Sequence, residues 1–249
     1  MKTNCNHNWQ QFKTNKLKCS KCNALKFKLF ELDEDNYYII KDNGMKYKVR
    51  KSRKKYIYPN DWKRFINILR TDEHKLIFDV LIKTGARIEE ALLIKRNDLV
   101  DDRRKSLKLR VTKTKAIKGE KEGEPRTFQI DSALYNKLKR KNEGFIFLNI
   151  DNNTDTRNAK KTAKKKGDSL RQLMNRKLKL LGIENISFQN IRKTHGMYLK
   201  TLEIKEGEIC NRLGHDYNTF LKHYSSPSIF DAKDKREMIK IIGNIYGLS

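Results

Sequence analysis

The sequence predicts an α+β protein, mainly helical with a small antiparallel β-sheet, and three observations carry that prediction. From Tyr58 onward apolar residues recur at helical spacing, two segments between 106 and 130 alternate instead, and the first 57 residues differ in composition from all that follow. At 249 residues the chain has room for one large domain plus a small appendage. The expected divisions are a module over 1–30, a basic linker or arm over 31–57, and the main domain over 58–249.

The module opens with "CNHNWQQFKTNKLKCSKC", which offers Cys5 and His7 as one close pair and Cys19 and Cys22 as another. Two such knuckles joined by a loop form the ligand pattern of a tetrahedral zinc site, so a small zinc-ribbon-like fold with structural Zn2+ is expected. So short a segment buries too little apolar surface to fold otherwise, and the metal would be its core. The other reading is three reduced cysteines in a loosely ordered tail. Beyond it lies the basic run "KVRKSRKK", from Lys48 to Lys55.

In the main domain Pro59 suits a first helical turn, and "NDWKRFINIL" puts Trp62, Phe65, Ile66 and Leu69 on one face. Thr71 is the expected N-cap of "KLIFDVLIKTG", which stops at Gly85, and "RIEEALLI" follows as the next helix. Leu107, Leu109 and Val111 alternate with Lys108 and Arg110, and Phe128 and Ile130 alternate after a charged, Gly-containing stretch, predicting two strands joined by a long loop. A short apolar strand "FIFL" is expected at 145–148. "NAKKTAKKKG" (158–167) reads as a solvated basic loop or helix, and helices follow in "SLRQLMNRKLKLLG", "QNIRKTHGMYLK", "GEICNRLG", the segment ending at Tyr224, and "DAKDKREMIKIIGNIYG". The last carries Met238, Ile241, Ile242 and Ile245 on one stripe, with packing within the chain as the default expectation.

Charge narrows the function. Lys and Arg number 57 against 30 Asp and Glu, a net charge of +27, which points to a polyanionic partner, double-stranded DNA first and an anionic membrane surface second. No apolar run approaches the ~20 residues of a spanning helix and no signal-peptide core precedes the module, so a cytoplasmic, nucleoid-associated protein is expected. Candidate phosphate contacts are Lys51, Arg53, Lys54 and Lys55 in the arm, Lys160, Lys161, Lys164 and Lys165 further on, and Lys193.

A tyrosine that attacks phosphorus needs cationic forks around the phosphate and a proton donor for the departing alkoxide. Arg87 lies at a break between two helices, Lys113 on a loop past a strand, Arg192 at the start of a helix, and His215 just past the Leu213-Gly214 helix stop. "LIKTGARIEEALLIKRNDL", "SFQNIRKTH" and "LGHDYNTFLKHY" closely resemble the three signature segments of the tyrosine recombinases, or phage integrases, over roughly residues 58 to 226. The resemblance implies that Arg87 and Arg192 bind the scissile phosphate, with Glu90 at the acidic position that follows the first arginine. It further implies that Lys113 (Lys115 is the other choice) protonates the leaving oxygen, that His215 assists, and that Tyr224 is the nucleophile. At the position where the family has His or Lys the chain has Gln189, which hydrogen-bonds but cannot shuttle a proton, implying slowed activity unless Lys193 or His195 compensates. His195 and His223 otherwise read as solvated or DNA-facing, and Cys210 as a small core residue.

By that resemblance the protein is a site-specific DNA recombinase working through a 3'-phosphotyrosine, with no catalytic metal or ATP. It would act as a homotetramer on paired sites, with the last helix as a possible docking segment between subunits. The compact length suits an archaeal, viral or plasmid-borne mobile element. Two other readings stand beside it: a type IB topoisomerase, and a non-catalytic zinc-containing DNA-binding regulator descended from a recombinase, which Gln189 keeps open.

Overall fold

The computed structural model describes residues 5–28, 30–33, 36–50, 56–111, 123–141, 143–150, 153–183, 186–224 and 230–247. The chain divides into two compact units, Met1–Arg53 and Lys54–Ser249. The first unit holds two three-stranded antiparallel meanders. Strands β1 (Trp9–Lys13), β2 (Lys16–Cys19) and β3 (Leu25–Phe27) pair with Trp9 opposite Cys19 and Leu17 opposite Lys26. The turn after Cys22 is closed by Asn23 in the left-handed region (φ 61), a conformation that asparagine tolerates.

The second meander, β4 (Phe30–Asp33), β5 (Asn36–Ile40) and β6 (Lys46–Arg50), occupies the stretch expected to be a linker. Its signal lay in the sequence: apolar residues before and after "KDNG", where Gly44 takes φ 78 and the Lys41 and Met45 backbones pair. The Phe30 and Tyr38 rings stack across β4 and β5 at 5.2 Å. Asn15 donates to the Ile40 carbonyl, and Lys16 pairs with Asp42 at 2.6 Å, which joins the two meanders. Lys51, Arg53, Lys54 and Lys55 lie outside the described residues.

The second unit is mostly helical around one small sheet. Helix α1 (Pro59–Asn67) starts on Pro59, and α2 (Asp72–Thr84) starts where Thr71 Oγ1 accepts the His74 N–H at 3.2 Å. α2 is apolar nearly all round, with Ile77, Phe78, Val80, Leu81 and Ile82 buried, so it runs through the core. It ends on Gly85 at φ 63, and α3 (Ile88–Leu92) begins at once with Arg87 as its N-cap.

The sheet is β7 (Leu99–Val100), β8 (Ser106–Val111) and β9 (Gly123–Gln129), so the two expected strands gain a short third. Then come α4 (Ser132–Lys139), α5 (Thr156–Leu180), α6 (Phe188–Thr201), α7 (Glu206–Leu213), α8 (Tyr217–Tyr224) and α9 (Ala232–Ile242). The strand expected at 145–148 does not form. Phe145 makes one isolated bridge with Lys95 and Ile146 N–H bonds the Ile94 carbonyl, but Phe145, Phe147 and Leu148 serve the core by side-chain burial instead of a ladder. The lysine-rich stretch is helix and is continuous with the next one, because Ala159, Ala163, Gly167, Leu170, Met174 and Leu178 form a single buried stripe along α5. In α9, Met238, Ile241 and Ile242 are buried within this chain's own core, against α1, α2 and α6.

Candidate active site

Three helix boundaries meet at one point. The end of α2 presents the Gly85 carbonyl, the end of α7 presents that of Leu213, and Arg192, in the second turn of α6, reaches both. Its Nη1 donates to Gly85 O at 2.6 Å and its Nη2 to Leu213 O, and Nη2 also lies 3.2 Å from His215 Nε2. Because arginine only donates, that imidazole nitrogen accepts. Arg192 is 1% exposed, and burial, then the neighbouring Arg87 and Arg126, lower its pKa. Its Nε has no hydrogen-bond partner among the described residues.

Glu90 is the counter-charge. Buried in the first turn of α3, it takes the Arg87 backbone N–H on Oε2 (2.9 Å), Arg87 Nη1 on Oε1 (2.7 Å) and Arg126 Nη2 on Oε2 (2.8 Å), with Arg192 Nη1 4.0 Å away. Burial alone would push this carboxyl up, yet Arg126 and then Arg87 hold it below the usual carboxylate range. Three guanidinium groups therefore share one carboxylate, leaving a net positive cluster suited to an anionic phosphate. Arg87, Gln189 and Arg192 line a small cleft of about 120 Å³ together with Ile88, Glu89 and Phe188. Ser187 caps α6, its N–H donating to Asn190 Oδ1 at 3.0 Å, which brings Gln189 and Arg192 into this cleft from the helix start.

Tyr224 closes α8, whose N-terminus is capped by Asp216 through the Thr219 N–H (2.6 Å). Its ring is fully buried, 5.3 Å from Phe220 and 6.4 Å from His215 between centroids. The backbone of Gly196 in α6 makes this possible: a Cβ there would sit 2.8 Å from Tyr224 Cε1 and Cζ. Burial raises the phenol's pKa well above 10, and Arg192 opposes this only in part. Lys200 Nζ donates to the Tyr224 carbonyl, holding the end of α8.

The expected site residues Arg87, Gln189, Arg192, His215 and Tyr224 thus gather in one region, while Lys113 and Lys115 lie outside the described residues. Lys160, Lys161, Lys164 and Lys165 are exposed on α5, and Lys193 is half-buried beside Arg192. One expectation is corrected. His195 is neither solvated nor DNA-facing: it is fully buried, its Nδ1 is 2.8 Å from the Ile82 carbonyl, and burial and then Arg212 bring its pKa down to about 3. It supports Gly85 from beneath, where a Cβ would lie 2.6 Å from its ring, and so cannot stand in for a proton shuttle at the cleft. Cys210 packs partly buried against the core.

Sequence reading missed Arg126. The signal was the alternation itself: opposite Leu109 on β8, Arg126 shares the inward face of β9 with Phe128, which lies opposite Leu107.

In the first unit the ligand atoms of Cys5, His7, Cys19 and Cys22 all lie within 4.8 Å of one another, with Cys5 and Cys19 sulfurs 3.9 Å apart and Cys22 Sγ 3.2 Å from His7 Nδ1. Around a tetrahedral ion with bonds of about 2.3 Å to sulfur, neighbouring sulfurs sit about 3.8 Å apart, so the cluster has the right dimensions. Burial would raise the Cys19 thiol, but hydrogen bonds from the Cys22 backbone, His7 and the Lys21 backbone bring it down to about 5; Cys5 is pushed up to about 11, foremost by its hydrogen bond with Cys22.

Residues 55–228 match the phage integrase family. Among solved structures, the Tn1549 transposon integrase in complex with transposon right end DNA is 14% identical over 80% of this chain and 68% of that one, with a TM-score of 0.53. The same integrase with a circular intermediate DNA is 15% identical over 75% and 66%, with a TM-score of 0.52. XerH site-specific recombinase bound to difH substrate in a pre-cleavage complex is 13% identical over 75% and 56%, with a TM-score of 0.50. At these identities the likeness is one of fold. The chain spans 51% of the XerH chain in a post-cleavage complex and 66% of the Tn1549 integrase chain. No curated protein matches.

Proposed function

The chain belongs to the phage integrase family, and on that premise we propose that it is a site-specific DNA recombinase that cuts and rejoins double-stranded DNA through a 3'-phosphotyrosine. The observation that carries this reading is the gathering of Arg87, Arg192, His215 and Tyr224, from separate helices and loops, around Glu90 and the Gly85 and Leu213 carbonyls.

In the proposed reaction Tyr224 Oη, its proton passing to solvent once the ring has left its pocket, attacks the scissile phosphorus. The bond to the 5'-oxygen breaks, and the leaving alkoxide takes a proton from Lys113 to become a free 5'-hydroxyl. Arg87 and Arg192 neutralise the equatorial oxygens as charge accumulates there. His215 holds Arg192 by accepting its N–H and stands beside the tyrosine ring. The 5'-hydroxyl of a second strand then reverses the step and regenerates Tyr224. The bond energy is kept in the phosphotyrosine, so the scheme uses neither ATP nor a catalytic metal. Gln189 contributes a hydrogen bond to the phosphate and no proton.

Tyr224 cannot attack from where it sits. Its buried, protonated phenol must leave the pocket over Gly196, and the arrangement described corresponds to a resting state. DNA binding is assigned to the exposed lysines of α5 and the basic stretch 48–55, contacts that add salt-sensitive affinity without sequence preference. Assembly as a tetramer on paired sites belongs to the same proposal. We assign Zn2+ to Cys5, His7, Cys19 and Cys22, where it would fix the β1–β3 meander; Cys19 is the most buried of the four ligands and anchors the cluster.

The test is covalent trapping on nicked suicide duplexes carrying the element's own junction. Wild type should yield a denaturation-resistant protein–DNA adduct and Tyr224→Phe none. Tight binding without an adduct on a correct site would overturn the catalytic reading in favour of a DNA-binding regulator, with Gln189 as the departure responsible.

A further inference from the structure

We propose that Arg126 is a positioning residue for phosphate chemistry, acting through Glu90 and the end of α7 to keep Arg192 and His215 in place; this rests on the recombinase reading above. Arg126 belongs to none of the three signature segments. It comes from β9, separated in sequence from β8 by residues 112–122, yet its side chain is only 10% exposed and makes two bonds that join separate parts of the site: Nη2 to Glu90 Oε2 and Nη1 to Leu213 O, both 2.8 Å. The fold makes room for it. Gly214 caps α7 at φ 56, and a Cβ there would lie 2.5 Å from Arg126 Nη1 and 3.0 Å from its Cδ, so only glycine meets both the left-handed turn and the arginine's path.

The geometry fixes what each bond does. Glu90 is buried with three cations near it: Arg87 and Arg126 in contact, and Arg192 4.0 Å away. With Arg126 in place the carboxylate is fully engaged, and Arg192 spends its donors on Gly85 O, Leu213 O and His215 Nε2. Remove Arg126 and a buried carboxylate loses one of its two contacting cations. Arg192 is the nearest replacement, and moving to Glu90 would take it off Leu213 and His215. At the same time Leu213 O, which accepts from both Arg126 and Arg192, keeps only the latter, loosening the turn that sets His215. Arg126 touches no reacting atom in this scheme; it determines where Arg192, which binds the phosphate, and His215, which holds Arg192, are placed.

The experiment compares full-length wild type, Arg126→Ala and Arg126→Lys in single-turnover adduct formation at saturating protein. The suicide duplexes carry either a phosphate or a neutral methylphosphonate at the scissile position. Arg126→Ala should slow the phosphate substrate on the order of 10²-fold, the scale of an ångström-level misplacement. It should slow the methylphosphonate markedly less, because that substrate places less negative charge before the arginines. Arg126→Lys keeps the charge on Glu90 without the fork that reaches Leu213, and should fall between; it also carries the test if the alanine variant fails to fold. A purely structural role would slow both substrates alike, and that result, or an unchanged rate, overturns the proposal. If wild type itself forms no adduct, the recombinase reading fails separately. The positioning claim is then judged on DNA-free protein by NMR of the Arg192 guanidinium and the His215 ring: shifted signals in the Arg126 variants support it, and unmoved signals overturn it.

Discussion

Tyr224 is buried because Gly196 has no side chain. A Cβ at that position would press within 2.8 Å of Tyr224 Cε1, Tyr224 Cζ and Leu213 Cδ1, all parts of a packed core. Gly196→Ala should therefore cost about 1–3 kcal/mol of stability, read by urea denaturation, and should expel the ring, read as a gain in Tyr224 solvent accessibility. His195, one residue earlier, makes a pH prediction. Its pKa is about 3 in the folded protein against 6.5 ordinarily, so between those values the unfolded chain binds the extra proton and stability falls with falling pH. The slope from this residue should approach about 1.4 kcal/mol per pH unit within that window and be absent above it. Replacing it, as in His195→Gln, should flatten that slope in denaturation measured from pH 7 down to pH 4. At this scale the resemblance of the three segments singled out Arg87, Arg192, His215 and Tyr224, residue types that phosphate chemistry calls for, and the fold brings them into one region. The resemblance was silent on facing. The inward turn of His195 was nonetheless readable from its place between Ile191 and Leu199, buried residues four positions away on either side.

Among the elements, α5 shows where a hydropathy reading fails. The first half of its buried stripe is alanine and glycine, which carry little apolar signal beside so many lysines, so the helix looked like a basic loop or helix followed by a separate one. Gly167 sits mid-helix, and a Cβ there would meet Ile88 Cγ1 at 3.5 Å and Leu92 Cδ1 at 3.9 Å, ordinary contact distances. Gly167→Ala should thus raise stability by about 0.5–1 kcal/mol in thermal or urea unfolding, as the helix loses its most flexible residue without crowding α3. β9 is the converse case. Its alternation was read correctly, but the face was defined by Phe128 and Ile130 alone, and the arginine in register with them was passed over because a charged residue seldom points inward. The "FIFL" segment was misread because apolar burial alone does not make a strand; hydrogen-bonding neighbours must be available, and among the described residues Ile94 and Lys95 pair with it without extending into a ladder.

For the whole molecule, the shift in composition expected near residue 57 lies close to the division between the two units at residues 53 and 54, while the second meander of the first unit was passed over although apolar residues flank its "KDNG" turn. Among the described residues the hydrophobic core cluster runs from Tyr56 to Ile242, all in the second unit, and the first unit is described by its strands and its thiol–imidazole cluster. Stripping metal with a chelator should abolish hydrogen-exchange protection in β1–β3 while the β8–β9 amides keep theirs; protection surviving in β1–β3 would refute a metal core. On the recombinase reading, a net charge of +27 gives the protein affinity for nucleic acid of any sequence, and most duplexes it meets carry the wrong one. Storing Tyr224 in the core changes what those encounters cost the genome. Touching DNA and nicking it become separate events, and on the recombinase reading selectivity is enforced by how rarely an improper duplex releases the ring, not by how weakly it is held.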